Sequence, residues 1–228
     1  MKFKLVGAAA LCGLGLGCFG LAGAQAANLA NDEQKALYAI GAAISQSLGD
    51  LALSEAELEI VTSGLSDGVM KRPLKVDPQA MAPKIQQLVQ ARSAVVADAQ
   101  KKTGAAFLAK AAAESGASKT ASGAIVSVMK QGNGPSPKAS DTVKVQYQGT
   151  LIDGTVFDSS IQRGQPATFP LGNVIKCWTE GVQLIKVGGK SRLVCPAAIA
   201  YGDRGSPPKI KPGATLVFEV ELLEIVKQ

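Results

Sequence analysis

Hydrophobic and polar positions follow two different periods along this chain. From residue 28 to residue 115 the period is helical. Leu37, Ile40, Ile44, Leu48 and Leu51 fall on one face of a first run, and Leu58, Val61, Leu65 and Val69 on one face of a second. Asn31 with Gln34, and Ser54 with Glu57, stand at capping-box spacing and start those runs. Asp77 and Pro78 predict the cap and first residue of a third, longer helix. It continues through "AMAPKIQQLVQARSAVVADAQKKTGAAFLAKAAAES". Unbroken, roughly 38 residues at about 1.5 Å each extend about 57 Å, with Gly104 as the weak spot.

"GASKTASG", residues 116–123, reads as a short small-residue linker, and after it the period changes to two. "AIVSVMKQG", "TVKVQYQG", "KSRLVCP" and "ATLVFEVELLEIV" predict strands, and one helix is expected near "VIKCWTEGVQLI". Within "KVQYQGTLIDGTVFDSS" a strand turns at Asp153-Gly154, starts back, and sets Asp158 directly behind Phe157. The fold class is α+β: a C-terminal antiparallel sheet curled around one short helix, preceded by an all-α region. The expected divisions are a helical domain at 28–75, a long connecting helix at 77–115, the linker at 116–123 and a sheet domain at 124–228.

The helical part has two aromatic residues, Tyr38 and Phe107, and two short apolar faces. Helices this small bury too little surface alone. Either they form a loose bundle on the second half, or their faces pair with a second chain.

Residues 1–26 have a basic start, the apolar run "LVGAAALCGLGLGCFGLAGA" and Ala24-Gln25-Ala26, the pattern of a secretory signal peptide. The alternative is a lipoprotein cysteine at Cys12 or Cys18, although Leu16-Gly17 before Cys18 fits that poorly. The expectation is export, to the periplasm or, alternatively, to the outer membrane or cell surface. No later segment reaches the ~18 apolar residues of a spanning helix. From 24 basic and 18 acidic residues, removal of the leader takes Lys2 and Lys4 and no acid, leaving a mild charge of +4. There is no basic block, which argues against a nucleic-acid partner.

The chain has no histidine, which excludes Ser-His-Asp and Cys-His nucleophile pairs and every histidine metal site. No Gly-rich phosphate loop is present, and neither metal nor cofactor is expected. Beyond the leader the cysteines are Cys177 and Cys195. In an oxidising compartment they are expected to form a disulfide joining the helix to a neighbouring strand; the alternative is two buried thiols.

The second half has six aromatic residues: Tyr147, Phe157, Phe169, Trp178, Tyr201 and Phe218. They either form the core or line a cavity, since Val143, Val145, Leu151, Leu193, Leu216, Val220 and Leu222 already fill a sheet interior.

"VQYQGTLIDGTVFDSS", "NVIKCWTEGV", "VGGKSRLVCPAAIAYG" and "GATLVFEVELLEI" resemble, in order and spacing, the FKBP-type peptidyl-prolyl cis–trans isomerases over about residues 120–227. The layout of the helical half resembles the exported macrophage-infectivity-potentiator subgroup. That resemblance implies a homodimer through the N-terminal helices, with a stalk helix carrying each catalytic domain. It also implies one pocket with Trp178 as floor, Tyr147, Phe157, Phe169 and Phe218 as walls, and Tyr201 as a hydroxyl donor at the rim. Val174 and Ile175 match the family's Val-Ile pair, whose Ile N–H receives a substrate carbonyl. Asp158 matches the pocket-edge acid, and Arg163 stands where its basic neighbour belongs. The clients implied are proline-containing polypeptides, and the family's macrolide inhibitors are possible ligands. Three departures bear on macrolide affinity: Ala167 replaces a wall aromatic, Lys209 replaces an apolar residue in a loop without histidine near Ser206, and "LGNVIK" is short.

Rotation about an X-Pro bond crosses ~18–20 kcal/mol and changes no covalent bond, so neither base nor nucleophile is required. A chain with aromatics and no histidine suits it. Asp158, read alone, is an ordinary strand-end turn residue. In the motif, its carboxylate is expected to take Arg163 or Tyr201 as partner. On that reading neither Phe157 nor Asp158 fills the sheet interior. The competing reading is a non-catalytic chaperone or proline-segment binding protein.

Overall fold

The structure, a computed structural model, describes residues 29–226. The expected leader, with Cys12 and Cys18, lies outside the described residues.

Helix α1, Asp32–Ser45, starts at its expected cap: Gln34 N–H donates to Asn31 Oδ1 at 2.8 Å, and Gln34 Oε1 accepts from Ala30 N–H at 2.7 Å. Helix α2, Glu55–Val69, opens on a complete Ser54–Glu57 capping box. Helix α3, Pro78–Ala112, has Asp77 as its N-cap and Pro78 in its first turn. Its 35 residues extend about 52 Å. Arg92 of α3 ties the two together: it pairs with Glu57 and donates to Leu51 O at 3.1 Å. This leaves the apolar side of α2 open, with Leu58, Leu65 and Val69 exposed by 46%, 46% and 70%. Among the described residues, no helix is long and apolar enough to cross a membrane.

The sheet takes in seven strands: β1 Ala117–Lys119, β2 Ile125–Lys130, β3 Thr142–Leu151, β4 Val156–Ser159, β5 Ala167–Pro170, β6 Lys190–Cys195 and β7 Leu216–Val226. Their order is β1-β2-β6-β7-β3-β4, all antiparallel, with β5 beside β4 on the outer edge of β3. Strand β3 therefore organises the domain. It pairs with β7 along its whole length on one edge. On the other edge it pairs with β5 through Thr142–Val145 and with β4 through Gln148–Thr150. Its alternation sends Val143, Val145, Tyr147 and Gly149 to the buried face. Helix α4, Lys176–Val182, lies in the hollow of the sheet and buries Cys177, Trp178, Gly181 and Val182. A disulfide joins Cys177 on α4 to Cys195 on β6, with Cα atoms 5.7 Å apart.

Two expectations are corrected. Residues 116–123 are more than a linker, because Ala117–Lys119 pair with Ile125–Ser127 and extend the sheet by an edge strand. Gly104 is not a weak spot: α3 continues through it, and a Cβ there would collide with Thr215 Oγ1. Glycine is what lets helix and sheet domain touch. The same seam buries Ala97 and Ala111, and packs Phe107 and Leu108 against Ile125, Val194 and Val217. Lys101–Asp203 at 2.6 Å and Arg192–Glu114 at 3.0 Å flank it. The connecting helix from Ala97 onward is thus part of the sheet domain's packing.

Candidate active site

At the open end of the hollow lies a cavity of about 330 Å³, lined by Tyr147, Phe157, Asp158, Phe169, Asn173, Val174, Ile175, Trp178, Tyr201 and Phe218. Every ring expected from the sequence lines it, as do Val174, Ile175 and Asp158. Two larger clefts, of about 700 and 770 Å³, run along α3 and gather no comparable set of rings around a charge.

The rings stack edge to face. Phe157 meets Phe218 at 5.5 Å between centroids and Phe218 meets Trp178 at 5.4 Å; Trp178 meets Tyr147 at 5.1 Å and Phe169 at 5.7 Å. The choice between core and cavity is therefore not exclusive. Tyr147, Phe157, Trp178 and Phe218 are buried members of the main core and also walls of the pocket. This corrects the expectation that Phe157 is dispensable to the interior: it is 7% exposed. Trp178 at the floor has its Nε1 buried without a hydrogen-bond partner among the described residues, a cost that simple core packing avoids.

Gly149, which backs two of the wall rings, is a residue that the strand pattern alone did not single out. A Cβ there would stand 2.6 Å from Phe157 Cζ and 3.0 Å from Phe218 Cε1, so glycine makes room for both rings. The signal was present, since an isolated glycine at a buried strand position marks a close approach. Asn173 was also missed, and nothing separates it in sequence from an ordinary polar loop residue.

Asp158 sits in a three-membered cluster. Tyr147 Oη donates to one carboxylate oxygen, Arg163 Nη1 donates to the other, and Arg163 Nη2 donates to Tyr147 Oη at 2.9 Å. The guanidinium also lies 5.5 Å from the centroid of the Tyr147 ring. Pairing explains the geometry: Gly149 is opposite Asp158, so Tyr147, two residues along β3, is its diagonal neighbour on the same face. Of the expected partners, Arg163 is present. Tyr201 is not: it is 39% exposed and makes no side-chain hydrogen bond among the described residues. The hydroxyl on Asp158 belongs to Tyr147.

These contacts set the charges. Burial pushes the Asp158 carboxyl up, but the hydrogen bonds from Tyr147 and Arg163 outweigh it and hold the group below the usual carboxylate range. Burial and the bond to Asp158 raise the Tyr147 phenol. Burial, then the Asp158 charge, raises Tyr201. At neutral pH the cavity holds one carboxylate, neutralised from outside by Arg163, and two neutral phenols. Such a site carries no strong nucleophile; it can strip water from an apolar segment and present a fixed dipole to it.

The cavity and its sheet define a site built to enclose an apolar segment beside one fixed carboxylate. Comparison with known proteins gives the family. Residues 134–223 match the model "FKBP-type peptidyl-prolyl cis-trans isomerase", and residues 33–127 match "Domain amino terminal to FKBP-type peptidyl-prolyl isomerase". The chain belongs to the FKBP-type peptidyl-prolyl cis–trans isomerases and is an enzyme of that class. It is 41% identical to the FKBP-type peptidyl-prolyl cis-trans isomerase FkpA of Aeromonas hydrophila over 86% of this chain and 77% of that one. It is 35% identical to the "Outer membrane protein MIP" of Legionella longbeachae over 100% of this chain and 99% of that one. The crystal structure of FkpA from Escherichia coli superposes with a TM-score of 0.64 at 37% identity, covering 86% of this chain and 97% of that one.

Proposed function

We propose that the aromatic cavity receives the proline of an unfolded client and that Asp158 faces the amide being rotated. Phe157, Phe169, Trp178 and Phe218 would enclose the ring. The backbone N–H of Ile175, just ahead of α4, would bind a client carbonyl, and Tyr201 would close the rim. At mid-rotation the imide loses resonance, and its oxygen carries less negative charge. A dry pocket therefore opposes the planar ground state more than the twisted state, the differential binding that catalysis requires. The observation that carries this reading is the single anchored carboxylate, set among rings by Tyr147 and Arg163. The family's macrolides would enter the same pocket, held loosely because Ala167 supplies no wall ring.

We further propose that residues 28–75 pair with the same region of a second copy, leaving 124–228 as the catalytic domain and 77–115 as its stalk. Support comes from the open apolar side of α2 and from the cleft of about 770 Å³ that Ile60, Val76, Met81 and Ile85 line between α2 and α3. Similarity to a protein named for the outer membrane, together with the leader-like start, supports export to the periplasm. There the helical pair would hold unfolded clients.

Two measurements test this. Light scattering of the protein without residues 1–26 should give twice the chain mass; a monomer at micromolar concentration ends the pairing proposal. Exchange rates of a proline peptide should be raised by wild type and much less by folded Asp158→Ala; equal rates end the pocket assignment.

A further inference from the structure

A second cavity, of about 250 Å³, opens beside the first and shares Phe157, Asp158 and Tyr201 with it. Its remaining wall is the loop Ser206, Pro207, Pro208, Lys209 and Ile210. The loop is a built structure. Ser206 and Ile210 exchange backbone hydrogen bonds of 2.8 and 3.0 Å, and Ile210 is buried beneath it.

Lys209 is exposed on this loop, yet its Nζ reaches back and donates to the backbone oxygen of Phe157 at 2.9 Å. That bond fixes the ammonium at the seam of the two cavities. An ammonium has three donors, and a single carbonyl occupies one. Among the described residues no carboxylate lies within 4.0 Å of Lys209 Nζ. Asp158 lines both cavities, but Arg163 and Tyr147 already engage its oxygens. Nearby on the chain, Asp203 is taken by Lys101 at 2.6 Å, while Arg204 and Lys211 form no ion pair among the described residues. Of the two charged residues that line the second cavity, Asp158 is thus engaged by Arg163, and the Lys209 ammonium has no opposite charge against it among the described residues.

We propose that the second cavity is a subsite for an acidic side chain flanking the client's proline, with Lys209 as its specificity-determining residue. The inference rests on the proline occupying the aromatic cavity. One partly exposed ion pair discriminates modestly, about two- to fivefold at low ionic strength, and salt screens it. Catalysis of neutral peptides does not require it.

The test is NMR exchange spectroscopy on the full-length protein, so that no coupling protease imposes its own preference. Two peptide series carry Glu, Gln or Lys immediately before or immediately after the proline. Wild type should turn over the Glu peptide about two- to fivefold faster in kcat/KM than the Lys peptide in at least one series. Lys209→Arg should keep that ratio, Lys209→Met bring it close to one, and Lys209→Glu reverse it; high salt should compress it. A lysine that merely tethers the loop would scale all peptides together. A Glu-to-Lys ratio identical in all four proteins overturns the proposal, whatever their absolute rates. Failure of the pocket assignment looks different, because Asp158→Ala would then leave the rates on every peptide unchanged.

Discussion

The sheet and the helices before it start from similar apolar side chains and dispose of them differently. In the sheet, Val143, Val145, Leu193, Leu216, Val220 and Leu222 are wholly buried within one chain. In α2 and the stretch leading into α3, Ile60, Val69, Leu74 and Val76 are all more than half exposed. Long strands explain the first case: β3 and β7 pair over ten residues, and every second side chain goes inward. The short helix α2, held to the long α3 by one arginine, encloses no comparable volume. Helix α3 shows both behaviours along its own length. Ile85 and Leu88 are about half exposed, while Ala97, Gly104 and Ala111 are buried against the sheet domain. The difference teaches that the proposed catalytic and pairing roles would fall on separate parts of the chain, so each can be broken alone.

The largest effect should come from the site. Asp158→Ala should lower kcat/KM for a proline peptide 10- to 1,000-fold, roughly 1.4–4 kcal/mol of barrier, with little change in fold because the carboxylate fills no core volume. Tyr147→Phe should cost more than Tyr201→Phe, since only Tyr147 holds the carboxylate. Phe157→Ala should remove activity and also about 3–5 kcal/mol of stability, because the ring belongs to the core. Rate and urea midpoint measured on each variant separate these cases. An Asp158→Ala protein with both wild-type rate and wild-type midpoint would return that residue to an ordinary strand-end turn.

Much of this was legible beforehand because it depends on local rules. Helix caps, the period-two strands, the Asp153-Gly154 turn and the inward alternation of β3 follow from residue type and spacing alone. The four blocks of family resemblance then carried the ring set to one pocket. What was not legible depends on through-space neighbours. That Tyr147 rather than Tyr201 reaches Asp158 follows from the β3–β4 register. That residues 117–119 form a strand follows from β2 lying beside them. The value of Gly104 follows from Thr215, more than a hundred positions away. A glycine in a helix reads as weakness until its neighbour is known.

The disulfide should matter next. It closes a separation of 18 residues and ties α4, with Trp178 next to Cys177, to β6. On the chain-entropy account a loop of this size contributes about 3 kcal/mol. The Cys177→Ala/Cys195→Ala protein should unfold at lower urea in the sheet domain, followed by the fluorescence of the chain's single tryptophan. An unchanged midpoint would show that the bridge adds nothing to packing already complete. Thiol titration of the denatured, unreduced protein without residues 1–26 should find none free.

Gly104→Ala tests the seam between the two regions. Helix propensity alone favours alanine by up to ~1 kcal/mol. Against it stands the collision with Thr215, which is 4% exposed. Overpacking of this kind costs typically ~1–3 kcal/mol, so the net change should be destabilising. A stabilised variant would mean that α3 and the sheet domain do not press together here.

The smallest effect should lie in the helices and depend on pH. The hydrogen bond from Arg92, then those from Ser54, lower the Glu57 carboxyl to about 2 despite its exposure. The ordinary value in an unfolded chain is about 4.3. A depressed folded value means that the contribution is fully present above about 4.3, fades as pH falls, and is gone below about 2. Glu57 joins the cap of α2 to Arg92 of α3, so the loss should appear locally. Amide hydrogen exchange in the first turn of α2 should quicken in Glu57→Gln relative to wild type at pH 6, and the two proteins should converge as pH falls towards 2. The sheet's amides should not distinguish them. A difference that persists unchanged at the acid end would assign the protection to the Ser54 cap geometry rather than to the ion pair with Arg92.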